Sequence, residues 1–147
     1  MTWLLIPFVV FVGALVPLQA GVNASLRGYL SSPILAAVTN FSVGGLLLAG
    51  YALATREGLP AMEQAAKAPW WCWAGGAMGA TLVLTGVLTS HRLGAGTFMA
   101  CVILGQLAAS VLLDHFALVG YSLHPVNPMR LFGIGLLAAG VYVVRTN

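Results

Sequence analysis

Five apolar runs decide what this chain can fold into: residues 3–21, 34–55, 70–90, 95–119 and 131–144. A helix needs about 20 residues to cross the hydrocarbon core of a bilayer, and four of the runs reach that length. The fifth is about 14 residues long, yet Arg130 and Arg145 bracket it and can snorkel outward, so it too reads as a span. Turn-forming residues mark the breaks: Ser31-Ser32-Pro33, Arg56-Glu57-Gly58-Leu59-Pro60, Arg92-Leu93-Gly94 and His124-Pro125-Val126-Asn127-Pro128. Composition agrees with the pattern. Only 6% of residues are charged and 60% are hydrophobic, with a mean hydropathy of +0.96. A water-soluble domain carries roughly 25% charged residues, and so few charges could not cover its surface. The fold class is therefore all-α: a polytopic membrane protein of five transmembrane helices, expected to form a single transmembrane domain over residues 1–147.

Met1-Thr2-Trp3 places no basic residue ahead of the first run, so that run is expected to be a retained helix and not a cleaved signal. Trp70, Trp71 and Trp73 form an aromatic anchor where the third span enters the membrane. Gly75 with Gly79, Gly105 with Ala109 and Gly135 with Ala139 have the small-xxx-small spacing that lets helix backbones approach closely in lipid. No internal repeat is visible, so any symmetry has to come from oligomerisation.

With five spans the two termini lie on opposite faces. Arg56, Lys67 and Arg130 fall on the N-terminal face; Arg27, Arg92 and Arg145 fall on the other. Orientation follows an excess of Lys and Arg on the cytoplasmic side, and this chain has none. The reading is insertion in both orientations and pairing into an antiparallel homodimer; the alternative is a single orientation set by insertion order or by a partner.

Several functions are disfavoured at this level. The six basic residues are scattered, and nucleic-acid recognition needs a concentrated basic patch. Cys72 and Cys101 lie in apolar segments and read as buried, unreactive thiols. His91, His115 and His124 are too far apart for a metal-binding helix face. No metal and no cofactor is expected.

Polar side chains inside a span are costly and therefore candidates for function. The first span is read as ending in Pro17-Leu18-Gln19-Ala20-Gly21-Val22-Asn23, with Gln19 and Asn23 on one face at i,i+4 spacing. Thr39 and Asn40 lie early in the second span. Gln106, Ser110 and Asp114 form a polar stripe along the fourth. Asp114 is the only acid outside the loops, about 7.5 Å before the expected end of its helix at Val119. It reads either as a proton- or cation-binding carboxylate or as a structural acid paired with an arginine. In an antiparallel dimer, Asp114 of one protomer and the Gln19–Asn23–Arg27 group of the other would fall at the same depth.

These segments carry a family resemblance. Pro17-Leu18-Gln19-Ala20-Gly21-Val22-Asn23-Ala24-Ser25-Leu26-Arg27, Asn40-Phe41-Ser42-Val43-Gly44, Gly75-Gly76-Ala77-Met78-Gly79-Ala80, Arg92-Leu93-Gly94-Ala95, the stretch from Gly105 to Phe116, and Arg130-Leu131-Phe132-Gly133-Ile134-Gly135 resemble the bacterial five-helix YdcZ-like family of the drug/metabolite transporter superfamily. One departure is Ala117-Leu118, where the resemblance leads one to expect glycine directly after Asp114-His115-Phe116; it bears on the local helix end. Larger members of that superfamily have ten helices in two inverted five-helix repeats. The resemblance thus implies that this chain is one half, rebuilt into a whole by antiparallel pairing in the bacterial inner membrane. It implies a transporter but no substrate class.

The leading hypothesis is a small secondary transporter of a polar or cationic molecule, working by alternating access as a homodimer in membrane lipid. Its cavity would be lined by Gln19, Asn23, Asn40, Gln106 and Ser110, with Asp114 coupling transport to a proton or cation. Amides both donate and accept hydrogen bonds, which suits such a substrate. A membrane enzyme using Asp114 and His115 on lipid is disfavoured, because adjacent helix residues diverge and no nucleophile accompanies them. An accessory subunit of a larger complex is the other alternative.

Overall fold

The computed structural model describes residues 2–58 and 62–146. Leu59 and Pro60, read as part of the second break, lie outside the described residues. The described residues form helices and connecting turns and contain no strand. Six α-helices follow in chain order: α1 (Thr2–Leu30), α2 (Pro33–Ala54), α3 (Met62–Ala66), α4 (Gly75–Leu93), α5 (Ala95–His115) and α6 (Pro128–Thr146). All but the short α3 belong to segments long and apolar enough to cross a membrane, and Trp70–Ala74 adds a 3-10 turn ahead of α4. The expectation of five membrane-crossing helices holds.

Three boundaries moved, each for a local reason. The first helix does not end at Gly21 but runs on to Leu30. Gln19, Asn23 and Arg27 are polar, but none of them breaks a helix; the break comes at Ser31, whose φ is +54°. The fifth membrane helix is 19 residues long, not about 14, because it starts at Pro128. Asn127 caps it: its Oδ1 accepts from the Arg130 backbone N–H at 2.9 Å, and proline suits the first helical position, where its missing N–H costs nothing. Ser32 and Pro33 do the same for α2, with Ser32 Oγ accepting from Leu35 N–H at 3.2 Å.

The fourth membrane helix ends at His115, not Val119. Beyond Phe116 the chain enters the left-handed region at Ala117 (φ 50°, ψ 41°) and again at Val119 (φ 54°, ψ 30°). That region costs an L-residue with a Cβ about 1–2 kcal/mol. The position where the resemblance favours glycine is therefore one where glycine relieves strain. Replacing Ala117 with glycine is expected to stabilise the protein by about 1 kcal/mol, read as a higher thermal midpoint in detergent. An unchanged or lower midpoint would contradict the strain argument.

Close contacts divide the chain into two compact units, residues 1–92 and 93–147. In the first, α1 packs against α2; Ala24, Ala36, Ala37 and Val87 are its buried apolar residues. In the second, α5 packs against α6, and Phe98 and Val111 are buried. Of the glycines in the small-residue pairs, Gly79 is the one that meets a neighbour among the described residues: a Cβ there would stand 3.5 Å from the Phe41 ring. Gly75, Gly105 and Gly135 have no neighbour within 4 Å of a built Cβ among the described residues.

Candidate functional site

In the first unit the sequence places two amides on different helices, and packing of α1 on α2 brings them together. Gln19 Nε2 donates to Asn40 Oδ1 at 3.2 Å. Each amide keeps unused capacity: Gln19 has its carbonyl oxygen and a second N–H, and Asn40 has its NH2 group. The pair borders a groove of about 490 Å³ lined also by Phe41, Val43, Gly44 and Leu47. Gln19 is exposed and Asn40 half-buried. Asn23, one turn beyond Gln19, is 5% exposed and does not line that groove. The shared face predicted for Gln19 and Asn23 thus has one amide on an open groove and the other enclosed.

One further turn along α1, Arg27 Nη1 donates to the Val87 carbonyl of α4 at 3.4 Å. Arg27 was expected to stand both among the face-setting charges and in one group with Gln19 and Asn23. Its i,i+8 spacing from Gln19 continues the same polar face of α1.

In the second unit Gln106 and Ser110 are exposed on α5. Asp114 is the last residue but one of that helix, so it sits in the final turn and not a turn and a half inside it. Arg130, from the first turn of α6, donates through Nη1 to Asp114 Oδ2 at 3.3 Å and to the His124 carbonyl at 3.1 Å. This is the ion pair found among the described residues. The connection after α5 folds back onto the helix end: His124 N–H donates to the Asp114 carbonyl at 2.9 Å. Val126 N–H donates to His115 Nδ1 at 3.1 Å, which requires an unprotonated Nδ1. The loop thereby satisfies one ring acceptor and one backbone carbonyl at the end of α5, the latter a group that a helix terminus otherwise leaves unpaired. Among the described residues no group of histidine, cysteine and acidic side chains is arranged to hold a metal ion.

The arrangement offers hydrogen bonds and one charge pair on apolar helices, with a groove beside the amides. No curated protein and no solved structure matches the chain. A family model described as "Putative inner membrane exporter, YdcZ" matches residues 4–143, nearly the whole length. With five membrane-crossing helices and that match, the chain belongs to the YdcZ family of the drug/metabolite transporters and is a multi-pass membrane transporter of the inner membrane.

Proposed function

We propose that the protein is a secondary transporter of a polar or cationic small molecule, working by alternating access as an antiparallel homodimer. The observation that carries this reading is the Gln19–Asn40 hydrogen bond beside an apolar groove. A substrate hydroxyl or amine bonds to the unused donors and acceptors of the pair, and a positive charge rests against the ring of Phe41. An amide pair left facing lipid is costly, which favours a second protomer over it. The equal division of basic residues supports insertion in both orientations, and opposed protomers exchanging conformations give outward- and inward-open states of equal structure. Gln106 and Ser110 are assigned to the substrate path of the second unit. Asp114 is assigned to coupling: protonation would release Arg130, and deprotonation would recapture it.

Choline, a small cation with one hydroxyl, is a suitable probe. Purified protein in proteoliposomes is expected to carry labelled choline down its gradient and to exchange it. Correctly inserted protein with no flux would overturn the cationic assignment. The dimer is tested separately by single cysteines at each terminus, in a background lacking Cys72 and Cys101, both of which are exposed on apolar segments and not buried as their sequence setting suggested. Labelling of each terminus from both sides is expected; one-sided labelling would sink the antiparallel pair.

A further inference from the structure

Arg27 is a permanent cation in a membrane-crossing helix, three residues before the end of α1 at Leu30. Arginine in such a helix is expensive and normally has a counter-charge. Among the described residues the ion pair is Arg130 with Asp114; Arg27 has only the Val87 carbonyl, at 3.4 Å. A guanidinium has five N–H donors, so this one bond leaves most of them unassigned.

A second observation points to the same place. Ser90 lies three residues after Val87 and so on the same face of α4. It is 7% exposed, and its Oγ is buried with no hydrogen-bond partner. Buried polar atoms are nearly always bonded, and an orphan calls for a missing water, ion or ligand. Asn23, one turn before Arg27 and 5% exposed, adds an enclosed amide to the same helix face.

We propose that the α1–α4 seam is an oxyanion site for phosphate or a phosphate-bearing group, with Arg27 as its charge partner and Ser90 as a hydrogen-bond donor. The groups share a bias. The guanidinium can only donate, the hydroxyl is free to donate, and among the described residues no carboxylate is bonded to either. Guanidinium geometry matches phosphate oxygens in bidentate fashion, which a lysine in its place would not do. Near the end of α1, the phosphate can come from a soluble molecule or from a lipid headgroup, and the chemistry is the same. This assignment does not depend on the amide pair or on transport.

The test is thermal unfolding of the full-length protein, wild type against R27Q and S90A. One arm titrates inorganic phosphate in detergent at constant ionic strength. The other compares nanodiscs of phosphatidylcholine with nanodiscs containing phosphatidylglycerol. The midpoint of the wild type is expected to rise with phosphate, with apparent affinity weakened roughly 10-fold or more in R27Q and roughly 3-fold in S90A. A response to phosphatidylglycerol alone, lost in R27Q, assigns the site to a headgroup and still supports it. No response in either arm, or a response equal in wild type and R27Q, would overturn it. If R27Q does not fold, S90A decides: unchanged affinity overturns the site. Because binding is read without flux, failure here and failure of choline transport are separate results.

Discussion

Replacing Asn40 with leucine is expected to cut choline flux in proteoliposomes roughly 10-fold or more, while thermal stability stays level or rises. The Gln19–Asn40 bond is exposed, so its loss costs the fold little, whereas a substrate enclosed in the closed site loses a hydrogen bond worth about 1–3 kcal/mol, roughly 5- to 150-fold in an equilibrium. Gln19 Nε2 would lose its acceptor, and the substrate would lose the Asn40 NH2 group. Leucine itself fits lipid better than asparagine, so the fold has no reason to suffer. Gln19→Leu should behave alike, and the double variant should be little worse than either single one, because the two amides act as a unit. Flux and stability falling together in Asn40→Leu would mean that the pair holds the helices and does not bind substrate.

Arg130→Gln is expected to destabilise the protein by about 2 kcal/mol, between the range for exposed ion pairs and the range for buried ones. The pair merits the intermediate value, since Arg130 is 33% and Asp114 27% exposed. Arg130 also holds the His124 carbonyl, so the fold-back of the loop loosens together with the charge pair. Asp114→Asn combined with Arg130→Gln should recover part of the loss, because no charge is then left without a partner. Thermal denaturation of the four proteins checks this. The same Asp114→Asn protein tests coupling: choline flux should lose its dependence on an imposed pH gradient. If that dependence is unchanged, Asp114 is a structural acid.

The helices were legible in the sequence because hydropathy and helix length respond to the same bilayer. Their ends were legible only where a chemical signal was strong. Asn127-Pro128 starts α6 ahead of Arg130, yet a hydropathy count stops at the arginine and loses the first turn. Gln19, Asn23 and Arg27 looked like a helix leaving the membrane, because polarity and helix termination are separate properties that often coincide. The site was legible as a set of residue types, not as pairs. Gln19 and Asn40 stand 21 positions apart on different helices, and nothing local says that packing joins them. Asp114 and Arg130 were placed on one face by topology, which made an arginine partner foreseeable, although the distance came only from the structure. Ser90 gave no signal, since a serine near a helix end is ordinary until its burial is known.

The length of α1 has a further consequence. Its apolar stretch Leu5–Leu30 covers 26 residues, about 39 Å of helix against a hydrocarbon core of about 30 Å. The surplus must be taken up by tilt or by a turn standing clear of the acyl chains. Arg27 lies in that last stretch, so the thickness of the surrounding bilayer sets whether its guanidinium stands among headgroups or below them. Lipid chain length therefore bears on how deep one arginine is immersed.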